Sequence, residues 1–170
     1  MKKTISLLAV ILAVSTLAWA DKADKSKDEM EIKSAMKSFS EAWNKGDAKG
    51  MASFWTVDGD IINPMGRVAK GPAEIEKLFQ DEHSGMMKGT NMRISVQSVR
   101  WLGADHALVD ADCDVMNMAG PDGKMMPPMK HHLVLEMTEV AEKWKVEAAR
   151  PYVFVQAHEH HEHHEHAEKK

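Results

Sequence analysis

"NMRISVQSVRWLGADHALVDADCDVM", residues 91–116, holds two runs of alternating apolar residues joined by four turn-forming ones. Period-two alternation marks half-buried strands, and the turn Leu102-Gly103-Ala104-Asp105 folds the second strand back on the first. In the first run Met92, Ile94 and Val96 fall on even numbers, whereas Val99 and Trp101 fall on odd ones. Side chains alternate strictly between the faces of a strand, so the change of parity predicts a β-bulge near Gln97-Ser98. In the second run Ala107, Val109, Ala111, Cys113 and Val115 make one small apolar face, with Asp110, Asp112 and Asp114 opposite. A bulged hairpin with one apolar side is the start of a strongly bent sheet that something must cover.

Upstream the period is helical. Ile32, Met36, Phe39 and Trp43 recur at three and four residues, with Ala35 and Ala42 between them, and Gly46 is a natural stop. Asp47 caps a second, short helix whose inward residues would be Met51, Phe54 and Trp55. Asp58-Gly59-Asp60 reads as a turn, Ile61-Ile62-Asn63 as a short strand ended by Pro64, and 65–69 as a return strand or loop. Pro72 then opens a third helix, with Ile75, Leu78 and Phe79 on one stripe, ending near Gly85. Downstream, the Pro/Gly-rich loop "AGPDGKMMPPM" leads to the strand "KHHLVLEMTEV". Ala141-Glu142-Lys143 turns the chain into the last strand, "WKVEAARPYVFV". The fold class is therefore α+β: three N-terminal helices packed on a strongly curved antiparallel sheet.

Three stretches together, "EAWNKGDAKGMASFWTVDGDIINPMGRVAKGPAEIEKLF" at 41–79, "VRWLGADHALV" at 99–109 and "EKWKVEAARPYV" at 142–153, resemble the NTF2-like superfamily. Within it the chain is most similar to SnoaL-like proteins of the SgcJ/EcaC or DUF4440 branch, over roughly residues 29–155. The resemblance implies a cone with a pocket between the helices and the concave sheet face, and a homodimer packed through the sheet. It also implies cofactor-independent acid/base chemistry of isomerase, dehydratase or cyclase type, if the protein is an enzyme. The oxidoreductase label of the SgcJ/EcaC branch would need a redox cofactor, and the chain carries no Gly-rich dinucleotide fingerprint.

An apolar cone around one carboxylate or imidazole raises the carboxylate pKa or lowers the imidazole pKa, giving a base or acid useful near neutral pH. Candidates for the catalytic role are Asp112, His83 and Arg150, with Trp55, Asp60 and His132 lining the pocket. Three aspartates at period two repel one another if buried. Either that face is solvated or lies at a dimer rim, or it is concave and Asp112 is the pocket acid or base, oriented by Arg150 or His132. His83 lies where the SgcJ-like pattern also tends to place a histidine; its alternative role is to cap a helix C-terminus. His131 and His132 are neighbours in a strand and point to opposite faces, so they cannot share a metal by themselves. No HExxH, CxxC or Ser-His-Asp grouping is present.

The ends of the chain carry different signals. Residues 1–20, "MKKTISLLAVILAVSTLAWA", have a basic start, an apolar stretch and an Ala-x-Ala site, the pattern of a secretory signal peptide. Periplasmic or secreted location follows, with no membrane span after cleavage. A disordered leader is expected at 21–27, the folded domain at 28–156 and a His/Glu-rich disordered tail at 157–170. Loss of Lys2 and Lys3 takes the formal charge from −4 to −6, which argues against nucleic-acid binding. Cys113 is the lone cysteine, so no intramolecular disulfide exists. Thirteen of the fourteen methionines lie after the signal segment, either as core filler or as soft ligands for Cu(I). In the tail His158, His160, His161, His163, His164 and His166 alternate with glutamates and would bind Ni, Zn or Cu loosely, without fixed geometry. Two functions are thus open: an exported domain that binds a small, largely apolar molecule in its cone, needing no cofactor, or a periplasmic metal-binding or metal-buffering protein acting through the tail.

Overall fold

The computed structural model describes the backbone of residues 7–120 and 122–154, and side chains from residue 25 onward. Helix α1 spans Leu7–Lys45, α2 Ala48–Ala52 and α3 Gly71–Ser84. Strands β1 (Trp55–Ile62), β2 (Val68–Lys70), β3 (Asn91–Trp101), β4 (His106–Met116), β5 (Met129–Val140) and β6 (Lys143–Tyr152) form one sheet in the order β2-β1-β6-β5-β4-β3. All pairings are antiparallel except β1 with β6, which is parallel, so the sheet expected to be purely antiparallel is mixed. Among the described residues, no helix is long and apolar enough to cross a membrane.

The helices follow from the sequence pattern. Ile32, Met36, Phe39 and Trp43 of α1 are all buried. Asp47 caps α2 by accepting a hydrogen bond from the Gly50 amide at 2.8 Å. Pro72 sits in the first turn of α3, and Glu74 reaches back to accept from the Lys70 amide at 3.0 Å, satisfying a backbone N–H at the helix start. Residues 21–27, expected to be disordered, continue α1. Three of the seven are helix-forming Lys, and Lys27 pairs with Glu31 one turn on at 3.5 Å.

The bend of the sheet comes from three irregularities, one of them on β6, where Glu136 faces Ala148 but Met137 faces Val146 and Glu147 is the extra residue. Val96 faces Ala111 and Ser98 faces Asp110, so Gln97 is the extra residue of the predicted bulge. On β1, Trp55 faces Val146 but Asp60 faces Ala148, leaving several residues looped out against β6. Asp58-Gly59-Asp60 is therefore an irregular part of a long strand rather than a turn between elements. A Cβ on Gly59 would lie 2.8 Å from the Val146 carbonyl, and only glycine allows that approach. The β5–β6 hairpin closes on two residues, Ala141 and Glu142, both at positive φ (50° and 59°), which matches a type I′ turn.

The core lies between the helices and the concave sheet face. Ala107, Val109, Ala111, Cys113 and Val115 of β4 are all buried in it, as are Leu133, Leu135 and Met137 of β5. Edge-to-face contacts of Phe39 with Phe54, Trp55 and Phe79, and a tilted Trp55–Phe79 contact, knit α1 and α3 to the start of β1.

Candidate functional site

A cavity of about 140 Å³ opens between α1, α3 and the concave face of the sheet. Its inner wall is aromatic and aliphatic: Phe39, Trp43, Trp55, Ile61, Phe79, Leu135, Val146 and Ala149. Methionines line much of the remainder, with Met36, Met92 and Met129 on the wall and Met65, Met86 and Met87 supplied by loops. Met65 and Met86 are 82% and 63% exposed, so their flexible thioether chains form an adaptable mouth. Against this apolar lining stand three ionisable groups, Glu82, Cys113 and His131.

Each has a defined position. Glu82, in the last turns of α3, accepts a hydrogen bond from the Asn63 side-chain amide at 2.8 Å. Asn63 in turn accepts from the backbone amides of Met65 and Arg67 at 3.1 and 2.8 Å, and Arg67 pairs with Asp81 at 2.6 Å. The mouth loop is thereby tied to the helix that carries the carboxylate. Burial holds the Glu82 carboxyl above the usual carboxylate range, opposed by the Asn63 hydrogen bond. His131 is 9% exposed and its Nδ1 is buried without a partner. Burial pushes its pKa below the ordinary value, which keeps the ring neutral at neutral pH. Cys113 lies directly opposite His131 on β4, and burial pushes its thiol up to about 12. On the other side of the cavity, Asn44 at the end of α1 brackets the Met92 backbone, accepting from its amide at 2.7 Å and donating to its carbonyl at 3.3 Å.

The residues predicted from sequence are distributed differently. Trp55 lines the cavity, with its indole N–H donated to the Asp60 carbonyl at 2.9 Å. Asp112 and His132 face away from the helices and pair with each other at 3.3 Å, with Asp110 3.5 Å from the same imidazole. Arg150 is on that outer face too, bound to the Asp60 carboxylate. The aspartate ladder therefore takes the solvated alternative: Asp112 is 60% exposed at its side chain and its contact with His132 lies outside the cone. His83 does not line the cavity. It packs against Trp43 with ring centroids 4.5 Å apart, near the turn at Gly46, and burial lowers its pKa. The catalytic trio Asp112, His83 and Arg150 is thus not assembled at one place, and Asp60 and His132 do not line the pocket. The six tail histidines lie outside the described residues. Among the described residues, no group of three or more His, Cys, Asp or Glu side chains is placed to hold a metal ion.

Sequence reasoning missed Glu82 and His131. For His131 the signal was present, because it shares odd parity with Leu133, Leu135 and Met137 on β5, whereas His132 does not. Glu82 follows Ile75, Leu78 and Phe79 by helical steps of seven, four and three, which also places it toward the buried stripe of α3.

A cone of one curved sheet closed by helices, with a largely apolar cavity and a few enclosed polar groups, is the architecture of NTF2-like, or cystatin-like, proteins. The chain belongs to the SnoaL-like domain family, whose model matches residues 24–150. The narrower SgcJ/EcaC or DUF4440 branch rests on the sequence resemblance alone. No curated protein sequence matches the chain. Among solved structures it is similar to a cystatin-like protein of unknown function from Nostoc punctiforme, at 23% identity over 76% of this chain and 79% of that one, with a TM-score of 0.67. An NTF2-like protein of unknown function from Shewanella oneidensis is 14% identical over 74% and 99% of the two chains, with a TM-score of 0.60. A ketosteroid isomerase-like protein from Erwinia carotovora atroseptica is 17% identical over 71% and 92%, also at 0.60. At these identities the likeness establishes the fold.

Proposed function

We propose that this SnoaL-like domain is exported after removal of residues 1–20 and binds a small, largely apolar molecule in its cone. The observation that carries this reading is the cavity itself: about 140 Å³, walled by aromatic, aliphatic and thioether groups, with polar atoms confined to a few places. An engineered apolar cavity of about 150 Å³ is known to admit benzene, so a single-ring or small fused-ring compound is the fitting size class. Glu82 and His131 give the site a carboxyl whose pKa burial raises and an imidazole whose pKa burial lowers. A bound molecule with an acidic C–H or a hydroxyl leaving group could exchange protons with them, which is cofactor-independent acid/base chemistry. The ketosteroid isomerase-like neighbour supports that option by fold analogy only. The test is calorimetry of the mature chain with indole and monocyclic phenols. Saturable binding at one site per chain that survives Asp112→Ala is expected, and absence of binding across the panel sinks the reading.

A second reading is favoured by the tail sequence. Six histidines interleaved with three glutamates over residues 158–166 would buffer Ni²⁺, Zn²⁺ or Cu²⁺ loosely, and lose them as pH falls through the histidine range. Equal affinity in the full chain and in a chain ending at Ala157 would rule it out. The two readings are compatible, since they use different parts of the molecule. The outer sheet face would join two copies: Tyr152 and Phe154, 38% and 78% exposed, cluster with His132 there. Light scattering of the mature chain against a Tyr152→Ser/Phe154→Ser variant tests it, a monomer in both being the contrary result.

A further inference from the structure

The concave face carries a compact block of soft donors of which the acid/base reading uses only His131. Across β3, β4 and β5 one row of partners is Met92, Val115 and Met129, and the next is Ile94, Cys113 and His131. All six side chains line the cavity. Cys113 and His131 are directly opposite, which sets their Cβ atoms about 4.5–5.5 Å apart, close enough for one ion to bridge sulfur and nitrogen. Met92 and Met129 are diagonal neighbours of Cys113, within reach of long thioether chains. His131 adds the independent sign of a ligand: its Nδ1 is buried and has no partner.

We propose that Cys113, His131, Met92 and Met129 form a Cu(I) site on the sheet wall of the cone. Thiolate, thioether and imidazole together are a soft donor set, which selects Cu(I) over harder ions. Charge favours the same ion. Binding replaces the thiol proton, Cys–SH + Cu⁺ giving Cys–S–Cu + H⁺, with the proton released to solvent and no change of oxidation state. The product is neutral, as an apolar wall requires; Zn²⁺ at the same place would leave a buried positive charge. The ion is distinct from anything held by the tail, whose residues 158–170 contain no sulfur, and its binding does not depend on an organic ligand entering the cone.

The test loads the full mature chain with one equivalent of Cu(I) under anaerobic conditions, in competition with a chromogenic Cu(I) chelator, and reads the copper ligands by X-ray absorption. Sulfur scatterers are expected. Cys113→Ala should weaken binding by more than the roughly 10–100-fold that loss of even an outer partner costs a metal site. Met92→Leu/Met129→Leu, which conserves volume, should lower the sulfur count while circular dichroism stays native. Nitrogen and oxygen scatterers alone would assign the copper to the tail. Sulfur scattering unchanged in both variants would assign it to the exposed Met125-Met126 loop. Either result overturns the site. Indole binding, measured on Cys113→Ala, separates this outcome from failure of the organic-ligand reading.

Discussion

Filling the cavity should stabilise the fold and abolish ligand binding together. Ala149 is 2% exposed, lines the cavity and faces Leu135 on β5 and Ile61 on β1, so Ala149→Phe directs a ring into the space. An enclosed void costs roughly 24 cal/mol per Å³, so a fully sealed cavity of about 140 Å³ would cost about 3 kcal/mol. This cavity is open at the methionine mouth, and ordering a phenyl ring costs up to about 1 kcal/mol, which leaves a gain of about 1–2 kcal/mol. For a domain of this size that is a rise in Tm of roughly 3–6 °C. Thermal denaturation with and without indole is the assay: the wild-type Tm should rise with indole and the Ala149→Phe Tm should not. A destabilised variant that still responds to indole would refute the reasoning, because the ring would then have no void to fill and the ligand would lie elsewhere.

Further outcomes follow from other residues. The Glu82 carboxyl titrates higher in the folded state than in the unfolded chain, so folding is favoured at low pH and loses that contribution as pH rises through the folded value. Glu82→Gln keeps the acceptor for Asn63 and should flatten this part of the stability-versus-pH curve, read by urea denaturation at several pH values. The buried His131 has the opposite sign: its contribution is intact above the ordinary value of 6.5 and is lost as pH falls below it, a loss that His131→Leu should reduce. Replacing Ala141-Glu142 by Asn-Gly removes two side chains from left-handed backbone and should stabilise the hairpin by about 1 kcal/mol, seen as a higher urea midpoint with unchanged slope. Asp112→Ala and Arg150→Ala, on the outer face, should leave indole affinity unchanged in calorimetry and cost no more than about 1 kcal/mol each.

Most of the fold was legible because its signals are local. Helical spacing at Ile32, Met36, Phe39 and Trp43, the cap at Asp47 and the parity change at Gln97 each leave a mark within a few residues. The parallel pairing of β1 with β6 joins residues some ninety positions apart, and nothing in "TVDGDII" announces it; the Asp-Gly-Asp cluster has the chemistry of a turn and was read as one. The site was less legible for a different reason. Asp112 and His132 carry conspicuous chemistry, yet both stand on the even, outward parity of their strands. The odd parity that buries Cys113 and Leu133 also buries His131, so the face of each strand was a better guide than the reactivity of its side chains.

Under the proposed function, ligands enter the methionine-lined cone. Methionine-methyl NMR of the mature chain titrated with indole tests it most directly, since the cavity is lined by Met36, Met65, Met86, Met87, Met92 and Met129 and not by Met30, Met125 or Met126. Saturable shifts confined to the first group are predicted. Shifts restricted to Met125 and Met126, or no saturable shift at all, would contradict the account.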